Sequence, residues 1–256
     1  VGGGDGTFSA VLRHCQGVST PVALLALGTG NDLARELKVP IKQAGSDIKS
    51  FFKWVDQAHQ VHLQIWKIKF GEQSIESEFF TNYVSFGLDA SIVQAYDYIR
   101  DHPNYRLYNL GKWGNRIAFA KATLAKFGHE KVIVKSLTEL DSGKLIPLDT
   151  VRTLSLSNIR SVAGLGVSNQ LSDPFDQKIE LLATCSLFEM LQYLSPWKLP
   201  WAHPKVMGSA GGWEIEFNSP PAVQIDGEGR PDICSNKYVI LPGQKVTILS
   251  TLPEET

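Results

Sequence analysis

The rhythm of apolar and polar positions changes near residue 60. Before it, helical spacing alternates with short apolar runs. Phe8, Val11 and Leu12 recur at helical intervals and predict a helix over residues 7–15. Residues 21–27 form a continuous apolar run ending at Gly28, the pattern of a strand buried on both faces. A second helix is predicted over 31–37, stopped by Pro40. A third is predicted over 47–57, with Ile48, Phe51, Phe52 and Val55 on its core side. Strand, glycine turn and helix in this order specify an α/β layer with a parallel sheet.

From residue 61 onward the period shortens to two. Alternation marks strands at 61–65, 131–137, 153–159, 213–217 and 246–249, and further strands are expected at 79–86 and 178–184. Pro242-Gly243 reads as a turn joining two such runs. Two helices interrupt the strands. One covers 111–128, where Trp113, Ile117, Ala120, Leu124 and Phe127 make a single stripe. The other covers 186–194. The expected architecture is an α/β segment over 1–60 followed by a β-rich sandwich domain with inserted helices over 61–256.

Composition narrows the function classes. The net charge is −1, so no global field recruits nucleic acid, and no nucleic-acid partner is expected. Cys15, Cys185 and Cys234 are odd in number and far apart, which points to a reducing compartment and a cytoplasmic protein. No apolar run is long enough to cross a bilayer as a helix, and no signal-peptide pattern is present. The chain starts without Met, on a glycine loop that normally follows a buried strand, and reads as a fragment of a longer protein.

The candidate chemistry lies in two glycine turns. In Gly2-Gly3-Gly4-Asp5-Gly6-Thr7, glycines let another group approach the backbone closely. Between a strand end and a helix start, their N–H groups converge at the positive end of the helix dipole, a place that suits phosphate. A carboxylate there repels phosphate unless a cation intervenes, and Mg²⁺ reconciles the two. Thr7 can cap the helix or donate to a phosphate oxygen. Gly28-Thr29-Gly30-Asn31-Asp32 repeats the device, with Thr29 or Asn31 able to cap the next helix. Tight turns with helix caps are the plain alternative. No Lys-Ser/Thr follows the glycines, so this is not a P-loop, and Asp5 does not suit a dinucleotide fingerprint.

GGDGT followed by PVALLALGTGNDLAR closely resembles the diacylglycerol kinases and related lipid kinases. LQIWKI (63–68), NYVSFGLDASIV (82–93) and VQIDGEG (223–229) extend the likeness over nearly the whole chain. IRDHPNYRLYNLGKWGN (99–115) resembles the eukaryotic-type form. GGDGT with GTGND is shared with NAD kinases and phosphofructokinases; the late DGE and the middle blocks narrow the match to lipid kinases. Two positions depart from the family pattern: Ala163-Gly164-Leu165-Gly166 replaces a usual Gly-Gly pair, and Gly229 stands after DGE where proline is frequent.

The resemblance implies that residues 1–60 are the C-terminal part of an ATP-binding catalytic domain and 61–256 an accessory domain carrying the lipid substrate. It implies transfer of the ATP γ-phosphoryl group to the primary hydroxyl of diacylglycerol, giving phosphatidate, with Mg²⁺. Gly3, Gly4, Gly6, Thr7, Gly28 and Thr29 would cradle phosphates, and Asn31 and Asp32 would shape the nucleotide side. Asp5 would position Mg²⁺, and Glu228 would be the base. A sphingoid or ceramide kinase, or a non-catalytic module binding lipid or a partner, are the alternatives.

Other residues carry weaker signals. His59 and His62 lack a second ligand pair and do not make a zinc signature. Arg13 and Arg35 are expected to be solvated, and Asp89 to be structural. A bilayer-bound substrate requires peripheral, reversible membrane contact, for which Trp197 and Trp201 in SPWKLPWAHPK are the candidates. Lys112, Arg116, Lys121 and Lys126 are read as sharing no clean face.

Overall fold

The computed structural model describes residues 1–28, 31–39, 48–71, 76–102, 112–126, 131–161, 169–186, 189 and 205–252. The N-terminal α/β layer pairs β1 (Gly2–Gly3) in parallel with β2 (Leu25–Ala26). Between them runs α1 (Asp5–His14), and after them α2 (Asp32–Glu36) and α3 (Ile48–Val55). The apolar run at 21–27 yields only this two-residue strand, plus a parallel bridge from Val22 to Ile248. Its burial is one-sided: Leu24 is fully buried and Leu27 exposed. In α3, Trp54 is the buried residue, while Ile48 and Phe52, assigned to the core by their spacing, face solvent. Phe51 and Val55 pack partly, so the buried face is rotated toward Trp54.

Among the described residues, the remaining strands form two six-stranded sheets facing each other. One contains, in spatial order, β4 (Glu76–Phe80), β3 (His59–Phe70), β14 (Lys237–Ser250), β11 (Trp213–Phe217), β6 (Val132–Glu139) and β7 (Thr150–Val151). The other is β10 (Lys205–Ala210), β9 (Ile179–Thr184), β8 (Thr153–Ser157), β5 (Tyr83–Gly87), β12 (Val223–Ile225) and β13 (Glu228–Gly229). The core between them includes Trp66, Phe86, Trp213, Phe217 and Tyr238, all fully buried. The expected sandwich is therefore present after the α/β segment.

Two strand readings need correction. Residues 79–86 do not make one strand. β4 and β5 belong to different sheets, and the chain crosses between them at Thr81-Asn82. Nor is Pro242-Gly243 a turn. β14 runs through it, with a register shift between Pro242 and Lys245. Pairing with β11 ends at Ile240, so Pro242 breaks no ladder on that side, and the irregularity toward β3 absorbs its missing N–H.

The long strands β3 and β14 join the two layers. Trp66, Ile68 and Phe70 lie in the sandwich core, whereas Val61, Leu63 and Ile65 pack with Phe8, Leu12, Leu24 and Leu33. Val246, Ile248 and Leu249 of β14 do the same, so the chain's end returns to the α/β layer.

Two helices lie over the sandwich: α4 (Leu88–Asp101) and α5 (Lys112–Lys126). Among the described side chains, the expected apolar stripe of α5 is not the core face. Gly114, Ala118 and Ala122 are buried, while Ile117, Ala120 and Leu124 are exposed, Leu124 at 76%. Small residues allow close packing on α4, where Tyr83, Leu88, Ile92 and Ala122 form a minor core with Phe119 at its border. Most of the expected helix over 186–194 lies outside the described residues, as do Thr29, residues 163–166, Trp197 and Trp201.

Candidate active site

The two glycine turns are in backbone contact. A Cβ on Gly28 would sit 2.5 Å from Gly4 Cα, and one on Gly4 would sit 3.2 Å from Gly28 Cα. Only residues without side chains allow this approach. The Gly28 N–H is already used, donating to the Gly3 carbonyl at 3.2 Å. The role of Gly28 is thus close packing rather than an N–H aimed at a ligand. Gly28→Ala is expected to separate the turns and lower the unfolding midpoint by several degrees, as read by calorimetry.

Helix α1 starts earlier than its apolar spacing indicates. Gly4 is its N-cap, and the first helical bond runs from the Phe8 N–H to the Gly4 carbonyl. The N–H groups of Asp5, Gly6 and Thr7 precede that bond and have no intrahelical acceptor. They crown the positive end of a ten-residue helix. Thr7 is exposed and makes no capping bond; its side chain lies against Gly3, where a Cβ would come within 2.6 Å.

Asp5 has a structural task as well. Its Oδ2 accepts the Asp32 N–H at 2.7 Å and its Oδ1 the Leu33 N–H at 3.2 Å. It therefore caps α2 from a distant part of the chain, in place of the expected Asn31. Asn31 occupies the N-cap position in a left-handed conformation and donates its side-chain amide to the Gly28 carbonyl at 2.7 Å. Asp32 is buried and pairs with Arg35 at 2.7 Å. Burial pushes the Asp5 carboxyl up to about 6; the Asp32 N–H opposes this and the Asp32 carboxylate adds to it.

Glu228 reaches this place from the sandwich. Asp226 and Gly227 both have positive φ, 51° and 86°, and form a two-residue turn between β12 and β13. Asp-Gly is the pair such a hairpin favours. The turn brings Glu228 beside α1: a Cβ on Gly6 would lie 3.3 Å from Glu228 Oε1. The Glu228 side chain is 53% exposed, and its other oxygen lies 3.9 Å from Arg100 Nη2. Partial burial, then the Asp97 carboxylate, holds its carboxyl above the usual range, against Arg100.

The neighbouring acid, Asp226, has a different role. Its buried carboxylate accepts backbone N–H groups from Thr81, Asn82 and Tyr83 at 3.0, 2.7 and 3.2 Å. It anchors the crossover between the sheets. Asp226→Ala should cost about 3 kcal/mol in urea unfolding, because three buried donors lose their acceptor.

Arg13 is not solvated. It bonds Glu78 Oε1 at 3.1 Å and lies 3.8 Å from Asp226 Oδ2, while Arg230 pairs with the other Glu78 oxygen. Ser9 Oγ and Thr81 Oγ1 share a bond at 2.5 Å. Gly6, Ser9 and Arg13, at i, i+3 and i+7, form one face of α1. That face docks on the sandwich and fixes where Glu228 meets the helix start. Spacing alone gives no sign of this, because Ser9 and Arg13 look like an ordinary polar face.

A groove of about 590 Å³ opens on the other side of Glu228, lined among others by Asp97, Tyr98, Arg100, Asp101 and Pro231. Asp89 plays no part in it: it is buried in the first turn of α4 and accepts the Ser85 hydroxyl at 2.5 Å, and burial pushes it up to about 6. His62 bonds Thr247 through Nδ1. Among the described residues, no group of three or more His, Cys, Asp and Glu is arranged to hold a metal ion.

Residues 1–64 match the diacylglycerol kinase catalytic domain, and residues 79–229 the diacylglycerol kinase accessory domain. Diacylglycerol kinase 2 of Arabidopsis thaliana is 29% identical over 134 residues, covering 46% of this chain and 18% of that protein. Diacylglycerol kinase theta of Mus musculus is 27% identical over 179 residues, covering 62% and 19%. The chain thus spans about a fifth of the length of these relatives. A diacylglycerol kinase structure from Bacillus anthracis superposes with a TM-score of 0.69 at 18% identity, covering 98% of this chain and 76% of that one. Yeast NADH kinase, solved with NADH, follows at 0.54 and 13%, covering 98% and 60%. The match to both domain descriptions over most of the chain makes it a member of the diacylglycerol kinase family.

Proposed function

We propose that this chain is the catalytic part of a lipid kinase that transfers the ATP γ-phosphoryl group to the primary hydroxyl of diacylglycerol, giving phosphatidate. The observation that carries the reading is the position of Glu228. A carboxylate from the sandwich stands beside Gly6, at a helix start whose first N–H groups lack helical partners. In this reading residues 1–60 supply the nucleotide side and 61–256 the lipid side.

The phosphates lie over the Gly3–Thr7 turn, with Asn31 and Asp32 at the nucleotide side of the cleft. The acceptor hydroxyl enters from the groove and gives its proton to Glu228. Its oxygen bonds to the γ-phosphorus as the bond to the bridging oxygen breaks and ADP leaves. The transition state in such transfers is loose, so the chain contributes chiefly position and charge. Partial burial and the Asp97 carboxylate, by raising the Glu228 carboxyl, make it a stronger base than an ordinary carboxylate.

The donor set fits Mg²⁺. This ion is held by one or two carboxylates together with phosphates and water, so Asp5, whose oxygens each keep a lone pair beyond their N–H bonds, suffices on the protein side. Mg²⁺ would supply neutralisation of phosphate charge.

A bilayer-bound substrate implies reversible membrane contact. The outward Ile117 and Leu124 with exposed Lys121, on a helix lacking acidic residues, support it. No helix among the described residues is long and apolar enough to cross a membrane.

A second reading is favoured by the groove. Asp97, Asp101 and Glu228 face Arg100 there, an acidic excess that suits a cationic amino alcohol such as a sphingoid base. Both readings are tested by a radiolabelled ATP assay on the full-length protein, with diacylglycerol, sphingosine and ceramide in mixed micelles. Label in phosphatidate alone supports the first reading. Label in sphingosine phosphate replaces it with the second, and no label in any lipid leaves a non-catalytic binding module.

A further inference from the structure

The hairpin that carries Glu228 is very short. β12 and β13 pair through Gln224–Gly229 and Ile225–Glu228, with one more bond from the Arg230 N–H to the Val223 carbonyl at 2.9 Å, a short ladder to fix a carboxylate by itself. Helix α4 supplies the rest. Gln94 donates through Nε2 to the Val223 carbonyl at 3.0 Å. One turn later, Asp97 Oδ2 accepts the Gly229 N–H at 2.8 Å. Arg100, one turn further, lies 3.2 Å from Asp97 Oδ1 and 3.9 Å from Glu228 Oε2.

The residue after Glu228 is matched to this contact. A Cβ at position 229 would lie 2.8 Å from Gln94 Cγ, 2.9 Å from Gln94 Cα and 3.1 Å from Asp97 Oδ2. Glycine therefore supplies room as well as a donor. Proline at 229 would have no N–H to give and would lose the bond to Asp97.

We propose that Asp97, with Arg100 as its counter-charge, is a positioning residue for Glu228: it clamps the peptide that follows Glu228 and aims the carboxylate at the first turn of α1. The inference rests on the reading of Glu228 as the base. Asp97 itself acts only through the neighbouring peptide and through its charge. Small displacements of a reacting group are costly in rate, so a clamp on the adjacent backbone acts on turnover rather than on nucleotide binding. Four charged groups act on Glu228: Asp97, Arg100 and Asp101 from α4, and Arg13 from α1. Changing Asp97 or Arg100 moves its titration in opposite directions.

The test uses the full-length protein with ATP and dioctanoylglycerol in mixed micelles. Asp97→Ala removes the acceptor, and kcat should fall about 10- to 100-fold with the KM for ATP unchanged. Asp97→Asn keeps an oxygen for the Gly229 N–H and should restore most of kcat. Because it also removes a negative neighbour, the acid limb of its pH profile should move to lower pH. Arg100→Gln should move that limb to higher pH. Wild-type kcat in Asp97→Ala, with Glu228→Gln inactive, overturns the clamp alone. Full activity in Glu228→Gln overturns the base reading instead. Equal losses in Asp97→Ala and Asp97→Asn, with neither limb displaced, reduce Asp97 to a packing residue and overturn the proposal. If Asp97→Ala does not fold, the opposed shifts of Asp97→Asn and Arg100→Gln decide.

Discussion

Asp5→Asn is expected to lower turnover about a thousand-fold, the scale of removing a group that organises transition-state charge. It should also cost about 1–2 kcal/mol of stability. The second effect follows from the cap on α2. The asparagine oxygen can accept the N–H of Asp32 or of Leu33, but its amide nitrogen then faces the other N–H, donor against donor. Measuring kcat and urea unfolding on the same variant separates the two roles. A fall in stability with near-normal turnover makes Asp5 a cap and nothing more. A large loss of turnover in a variant still folded at the assay temperature supports its place beside the phosphates.

Glu228→Gln should lower kcat by about 10²- to 10⁴-fold, the range of a positioned general base. ATP affinity should stay unchanged, since the residue approaches the cleft from the sandwich side. Stability should move by no more than about 0.5 kcal/mol, because the side chain is half exposed and stands outside both cores. This separates it from Asp226 two residues earlier, where the loss is in folding. One motif thus contains an anchor and a candidate base, and burial tells them apart: the Asp226 side chain is fully buried, that of Glu228 is not. Wild-type turnover in Glu228→Gln would remove the base assignment and leave Asp5 as the leading acid in the cleft.

The strands whose sequences alternate were legible in place and type. Trp213–Phe217 is one, Thr153–Ser157 another, because each has one face on a core that its own side chains announce. Legibility failed where a neighbour chose the buried face. In α5 the large side chains made the visible stripe, yet Gly114, Ala118 and Ala122 face inward, since close packing on α4 needs small residues. Proline and glycine at 242–243 have the look of a turn in any sequence; only the loss of the β11 partner beyond Ile240 lets a strand carry them.

By itself the sequence determined the chemistry on offer: two glycine turns at helix starts, an acid in the first of them, an Asp-Gly hairpin ending on a glutamate, and an α/β segment followed by a sandwich. These are local properties, set by φ preferences, hydrophobic period and residue type. Tertiary structure decided what those parts do to each other. It put Gly4 against Gly28, made Asp5 the cap of a helix 27 residues away, and turned Gly6, Ser9 and Arg13 onto the sandwich. The face of α1 that docks, and with it the meeting of Glu228 and Gly6, depends on contacts between residues up to about 220 positions apart. No period or motif in a single chain encodes such a distance; it emerges only when both cores close on the shared strands β3 and β14.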